Sequence, residues 1–315
     1  MRRLNSILLI VILPFLFACA WTRPERLPQA QATTQPSVTP TQSATSAPQS
    51  AIERRAQNIP YDTLPGIDPK LTSLDIYAPA SGEGLPVMIY VHGGGWSIGD
   101  KGRVQLKPQA FNQQGFVFIS ANYPLVPDVT VTDQATELAR AVDWVHEHAG
   151  QFGGDPKRIF LMGHSAGAHL VSLVGTDPAY LEQAGVSLQA LSGVVALDTR
   201  AYDISRMFKE ETTGQRIYER AFGNDPANWA KLSPLTYVQS GSRLPPFAVA
   251  YSGQGQSRST MAADFVQQIQ TFGGQAVLIP GDDQTHAEIN QQFGQPGDAV
   301  TEAVMAFLAD ILASQ

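Results

Sequence analysis

MGHSAGAHL, residues 162–170, is the stretch on which the reading of this chain turns. Ahead of it, KRIFL (157–161) ends in an apolar run with the look of a short buried strand. Behind it, AGAHLVSLV (166–174) has the small and apolar spacing of a buried helix. Ser165 therefore stands where a strand becomes a helix, with Gly163 and Gly167 on either side. Small flanking residues let the backbone turn tightly enough to push a hydroxyl into a cleft, the geometry of a nucleophile elbow. Gly-x-Ser-x-Gly also arises from ordinary turn composition, so the rest of the chain must separate a nucleophile from a serine between two glycines.

Working outward, strand-like and helix-like segments alternate after Pro60. LTSLDIYAP, LPVMIYVHG and GFVFISANY read as strands, and 131–148 repeats Val131, Ala135, Leu138, Val142 and Val145 at helical steps. The spacing then predicts a strand at 159–162, a helix at 166–174, strands at 193–197 and 247–251, a helix at 259–272, a strand at 276–279 and a helix at 299–312. Such alternation predicts an α/β fold, a mostly parallel central sheet with helices on both faces. Between 202 and 244 the pattern weakens, which reads as a small helical insertion able to cap a cleft.

About seventy residues before Ser165, the run IYVHGGGW carries an apolar strand straight into Gly93, Gly94 and Gly95. Glycines at a strand end leave backbone N–H groups clear of side chains, and acyl transfer needs such donors for the oxyanion formed on attack at a carbonyl. Gly94, Gly95 and Ala166, the residue after the serine, are the candidate oxyanion hole. A phosphate-binding loop is the competing reading, but no Lys-Ser or Lys-Thr pair follows these glycines. Trp96 is placed either over an acyl or alcohol group or as a cover on the core.

A serine hydrolase needs a base, and in this chain order a histidine comes last. His286, in PGDDQTHAEI, is the one histidine of six that follows Ser165 at such a position, while His164 and His169 beside the elbow read as packing residues.

Together LDIYAP, VMIYVHGGGWSIGDK, ISANYPL, RIFLMGHSAGAHL and HAEI resemble the α/β-hydrolase fold carboxylesterases, in particular the hormone-sensitive-lipase-like and kynurenine-formamidase-like branch, over residues 60–312. The resemblance implies a serine nucleophile, no cofactor, no metal and a small-molecule ester or amide substrate. It leaves open ester against amide or formamide cleavage, and a decayed binding protein of the same fold. In one place the pattern breaks. The family's usual acid lies after the strand PFAVAY, where this chain reads SGQGQSRST, with Gln254 and Gln256 and no carboxylate. Asp198, brought to a strand end by GVVALD, is the candidate catalytic acid in its place, against a turn or cap with Thr199. Asp282 and Asp283 read as turn residues, and Asp264 as a helix residue.

The chain has 315 residues and a net charge of −7, with no basic patch that would point to nucleic acid. MRRLNSILLIVILPFLFACAW has the positive start, apolar run and small residues of a secretory signal, so residues 1–19 are read as a signal peptide. Cys19 is the single cysteine, in Leu16-Phe17-Ala18-Cys19, an imperfect lipobox because Phe17 is large. Lipidation of Cys19 would anchor the protein at a membrane facing the periplasm; ordinary cleavage after Ala20 would leave it periplasmic or secreted. Residues 20–59, rich in Pro, Gln, Ser and Thr, read as a disordered tether ahead of a hydrolase domain at 60–315.

Overall fold

The computed structural model describes residues 54–210, 215–253 and 255–315. The expected signal peptide, Cys19, most of the tether and Gln254 lie outside the described residues. In chain order the elements are β1 (Arg54–Pro60), β2 (Ser73–Ala78), β3 (Leu85–Val91), α1 (Lys107–Gln113), β4 (Val117–Ala121), α2 (Val131–His148), β5 (Gly154–His164), α3 (Ala166–Thr176), α4 (Pro178–Ala184) and β6 (Leu191–Leu197). There follow α5 (Ile204–Glu210), α6 (Gln215–Phe222), α7 (Pro226–Leu232), β7 (Phe247–Ser252), α8 (Gln256–Thr271), β8 (Ala276–Gly281), α9 (Glu288–Gln291) and α10 (Ala299–Ser314).

Among the described residues, eight strands form one sheet in the order β1-β2-β4-β3-β5-β6-β7-β8. β1 and β2 pair antiparallel, as do β2 and β4, and every other neighbouring pair is parallel. Alternate side chains feed two cores. Ile76, Val87, Ile89 and Leu161 join the side packed by α2, α3 and α8, while Tyr77, Met88, Tyr90 and Phe160 join the side packed by α1 and α10. The period-2 geometry of a strand buried on both faces explains why these runs are apolar throughout. α2 begins where the periodicity predicts because Thr130 and Asp133 form a reciprocal capping box.

One expected boundary moves. Residues 54–59, read as the end of the tether, form most of β1 and pair with β2. β1 is an edge strand, and a strand with one neighbour and a wet outer side needs no apolar signature. Among the described residues of the 202–244 insertion, three short α-helices, α5 to α7, lie between β6 and β7, with Phe208 stacked on Trp229 at 4.3 Å between ring centres.

Register aligns the strand ends. Val91 pairs with Gly163, His164 with Leu197, and Ser252 with Gly281, so the residues that follow β3, β5, β6, β7 and β8 leave the sheet along one edge. The crevice beyond the carboxyl ends of the strands is where open α/β sheets bind ligands.

Candidate active site

Ser165 sits at φ 56°, ψ −115°, between the last residue of β5 and the first of α3. That conformation is strained for a residue with a side chain. The flanking glycines make it possible by close approach: a Cβ on Gly163 would lie 2.3 Å from the carbonyl oxygen of Gly167, and one on Gly167 would lie 2.2 Å from that of Val91. The Ser165 N–H donates to Leu197 O at 2.9 Å, which fastens the elbow to β6.

The structure brings Ser165, His286 and Asp198 together. Ser165 Oγ lies 3.0 Å from His286 Nε2, and His286 Nδ1 lies 2.6 Å from Asp198 Oδ2. With Nδ1–H donating to the carboxylate, Nε2 is the acceptor for the serine hydroxyl. Asp198 is fully buried and holds φ 55° directly after β6. Its N–H donates to Ala250 O at 2.9 Å, and its Oδ1 accepts the Ser252 N–H at 3.1 Å. Burial alone would push its carboxyl up, but the His286 hydrogen bond and the Arg258 charge outweigh it and hold the group at about 2.

His286 is positioned from its own backbone. His164 Nε2–H donates to the His286 carbonyl oxygen at 2.8 Å, with the two rings 4.7 Å apart. Burial, then the charge of His286, depress the His164 imidazole to about 3, so it stays neutral across the working range. On either side of His286, Thr285 and Glu288 cap each other's backbone N–H groups. Lys107 Nζ donates to Asn290 O at 2.6 Å, and the Tyr90 hydroxyl to Asn290 Oδ1 at 2.7 Å, so α1 and β3 both hold α9. His164 was visible in the motif as a packing residue; the grip of Lys107 and Tyr90 spans 183 and 200 residues and leaves no local signal.

The glycine loop lies against the elbow, since a Cβ on Gly93 would come 3.0 Å from Ser165 Cβ. Gly94 O turns inward to accept from Ser97 N and Ile98 N. Among the described residues, the N–H groups of Gly94, Gly95 and Ala166 donate to no protein acceptor. Ala166 opens α3, so its N–H adds the positive end of the helix.

Of the two places expected for Trp96, the structure shows the cover on the core. It is buried at 3% exposure, its Nε1–H donates to His169 Nδ1 at 3.2 Å, and its ring meets Phe222 and Tyr218 of α6 at 4.7 and 6.1 Å. An indole body with one polar atom suits that buried place, where it fastens the insertion to the glycine loop. His169 completes the tie: its Nε2–H donates to Leu232 O of α7 at 2.8 Å. Asp264 lies on α8, as expected of a helix residue, and pairs with Arg206.

The BD-FAE family model matches residues 74–260. Isoprenylcysteine alpha-carbonyl methylesterase from Arabidopsis thaliana is 28% identical over 233 residues, which span 69% of this chain and 54% of that protein. Esterase LipQ from Mycobacterium tuberculosis is 33% identical over 208 residues, 58% of this chain and 47% of its own. The chain thus spans about half the length of these relatives. Among solved structures, an inhibited esterase B from Lactobacillus rhamnosis superposes with a TM-score of 0.70 at 22% identity, covering 84% of this chain and 88% of that one. Esterase 2 from Thermogutta terrifontis superposes at 0.65 with 23% identity, covering 83% and 94%. These likenesses establish the α/β-hydrolase fold.

Proposed function

The chain belongs to the BD-FAE family, and from that premise we propose that it is a serine hydrolase that cleaves carboxylic esters through an acyl-enzyme intermediate. The observation that carries the reading is the unbroken path from Ser165 Oγ through His286 to the buried Asp198, with links of 3.0 and 2.6 Å. Ser165 Oγ attacks the ester carbonyl as His286 Nε2 takes its proton, and Asp198 steadies the imidazolium so formed. The oxyanion is held by the N–H groups of Gly94, Gly95 and Ala166. As the intermediate collapses, His286 returns the proton to the departing alcohol, leaving an acyl group on Ser165. Water, deprotonated by His286, then attacks the acyl group, and the acid leaves with the Ser165 hydroxyl restored. The relatives' printed names, a methylesterase and an esterase, favour an ester over an amide.

The same reading takes the leader ahead of Cys19 as an export signal that is removed, Cys19 as the residue that is kept and bears the lipid, and residues 20–53 as the spacer that holds the hydrolase domain off the membrane. Its support is the Leu-Phe-Ala-Cys sequence at the end of the apolar run.

A fluorophosphonate probe tests the nucleophile. The expected result is one adduct per chain, located on Ser165 by peptide mass analysis and absent from Ser165→Ala. Labelling of both proteins alike would sink the assignment.

A further inference from the structure

The carboxylate that holds His286 has a partner that acyl transfer, as set out above, does not use. Arg258 Nη1 lies 3.3 Å from Asp198 Oδ2, the oxygen already bonded to His286, and 3.5 Å from the Asp198 carbonyl oxygen. The side chain of Asp198 is fully buried and that of Arg258 is 18% exposed, so water screens the pair weakly. Arg258 is the third residue of α8, the helix that follows β7. Between β7 and α8 the chain reads Gly253-Gln254-Gly255, with no carboxylate. Asp198 stands one strand away, at the end of β6, and α8 sends a cation to it.

Other groups face the pair from each surrounding element. His164 comes from β5, Arg200 and Tyr202 from the segment after β6, and Lys107 of α1 lies beyond His164. His164 is neutral, and burial keeps the Tyr202 phenol protonated. Arg200 donates to Ser257 Oγ at 3.0 Å. Among the described residues, Arg258 and His286 are the two side chains in ion-pair contact with Asp198.

We propose that Arg258 is a positioning residue that shares the charge of Asp198 and so sets how firmly the acid holds a proton on His286. The proposal rests on the serine-hydrolase reading of the site. A carboxylate paired with a guanidinium stabilises an imidazolium less than a lone one does, and the guanidinium itself repels that imidazolium. The pair therefore leaves Asp198 less negative charge to offer the imidazolium that forms during the reaction. The contact also holds the carboxylate plane so that Oδ2 faces Nδ1.

The test compares full-length wild type, Arg258→Gln, Arg258→Met and Arg258→Lys in kcat/KM for p-nitrophenyl butyrate from pH 4.5 to 9. Removing the charge is expected to move the acid limb upward by about half to one pH unit. Arg258→Lys, which keeps a cation, should lie closer to wild type than either neutral variant. An unmoved limb in a folded neutral variant overturns the proposal. So does an equal shift in Arg258→Lys, because charge would then not be the cause. Arg258→Met preserves much of the side-chain stem and serves if Arg258→Gln does not fold. A second arm needs no turnover: in a Ser165→Ala background, the downfield Nδ1–H proton resonance of His286 is followed against pH by NMR. Its midpoint should rise when Arg258→Gln is added, and a fixed midpoint contradicts the proposal. Wild type no faster than Ser165→Ala would instead defeat the esterase reading, leaving the NMR arm to decide on Arg258.

Discussion

Asp198 was legible because the apolar run GVVALD ends on it, and a strand in a parallel sheet delivers the residue after its last apolar position to the carboxyl edge. Arg258 was not legible, because its contact with Asp198 joins positions 60 residues apart on two elements whose packing no local pattern encodes. Trp96 could be read as a substrate contact or a cover on the core, and the choice depended on α6, whose place over the glycine loop is a tertiary fact. Away from the site, Glu137 on α2 is a second residue where position decides chemistry. Its side chain is buried, Oε1 accepts from Arg140 at 3.0 Å, and Oε2 has no hydrogen-bond partner. Burial, and then the neighbouring Asp62 charge, push its carboxyl up to about 7. A carboxyl raised in the folded state gives stability that is full below its ordinary value, near 4.5, and lost as pH climbs through about 7. Glu137→Gln should therefore raise the melting temperature at pH 8 and lose that advantage by pH 4.5. A gain of equal size at both pH values would show that ionisation of Glu137 carries no cost.

At the scale of elements, the strong periodic segments were readable and the weak ones were not. α2 occupies the span its apolar spacing predicts, and α3, β6 and α10 extend their expected ranges by two residues each, as frayed or capped ends do. β1 escaped notice because an edge strand can be polar. Its worth lies in a buried network: Asn58 Oδ1 accepts from Lys101 Nζ at 2.7 Å, and the Asn58 N–H donates to Asp75 Oδ1 at 2.9 Å. Lys101 and Asp75 form an ion pair of 3.0 Å with side chains 2% and 5% exposed. Such a pair depends on its remaining hydrogen bonds, and removing one partner of a buried network is costly. A chain starting at residue 61 should melt about 5 °C below one starting at residue 51. Equal melting temperatures would mean that β1 is dispensable. Lys101 also lies in the segment between the glycine loop and α1, so the loss should lower turnover as well.

For the whole molecule, the sheet order and register place three separately encoded pieces, the glycine loop after β3, the elbow after β5 and the histidine loop after β8, along one edge. The fold and the candidate site were readable in sequence order because each piece has its own local signature. What was not readable is the support behind them, Lys107, Tyr90, Asn290 and Arg258, which exists only once the strands are assembled. The proposed anchor belongs to this scale too: Cys19→Ser should move the protein from the membrane fraction to the soluble fraction, and unchanged fractionation would rule out a lipid on Cys19. The central claim, that Ser165, His286 and Asp198 perform ester hydrolysis, is tested most directly by turnover of p-nitrophenyl acetate, butyrate and octanoate by wild type, Ser165→Ala and Asp198→Asn. The account predicts measurable wild-type turnover, none above background in Ser165→Ala, and a fall of about four orders of magnitude in kcat for Asp198→Asn. A wild type no faster than Ser165→Ala, or an Asp198→Asn variant that keeps wild-type turnover, would contradict it.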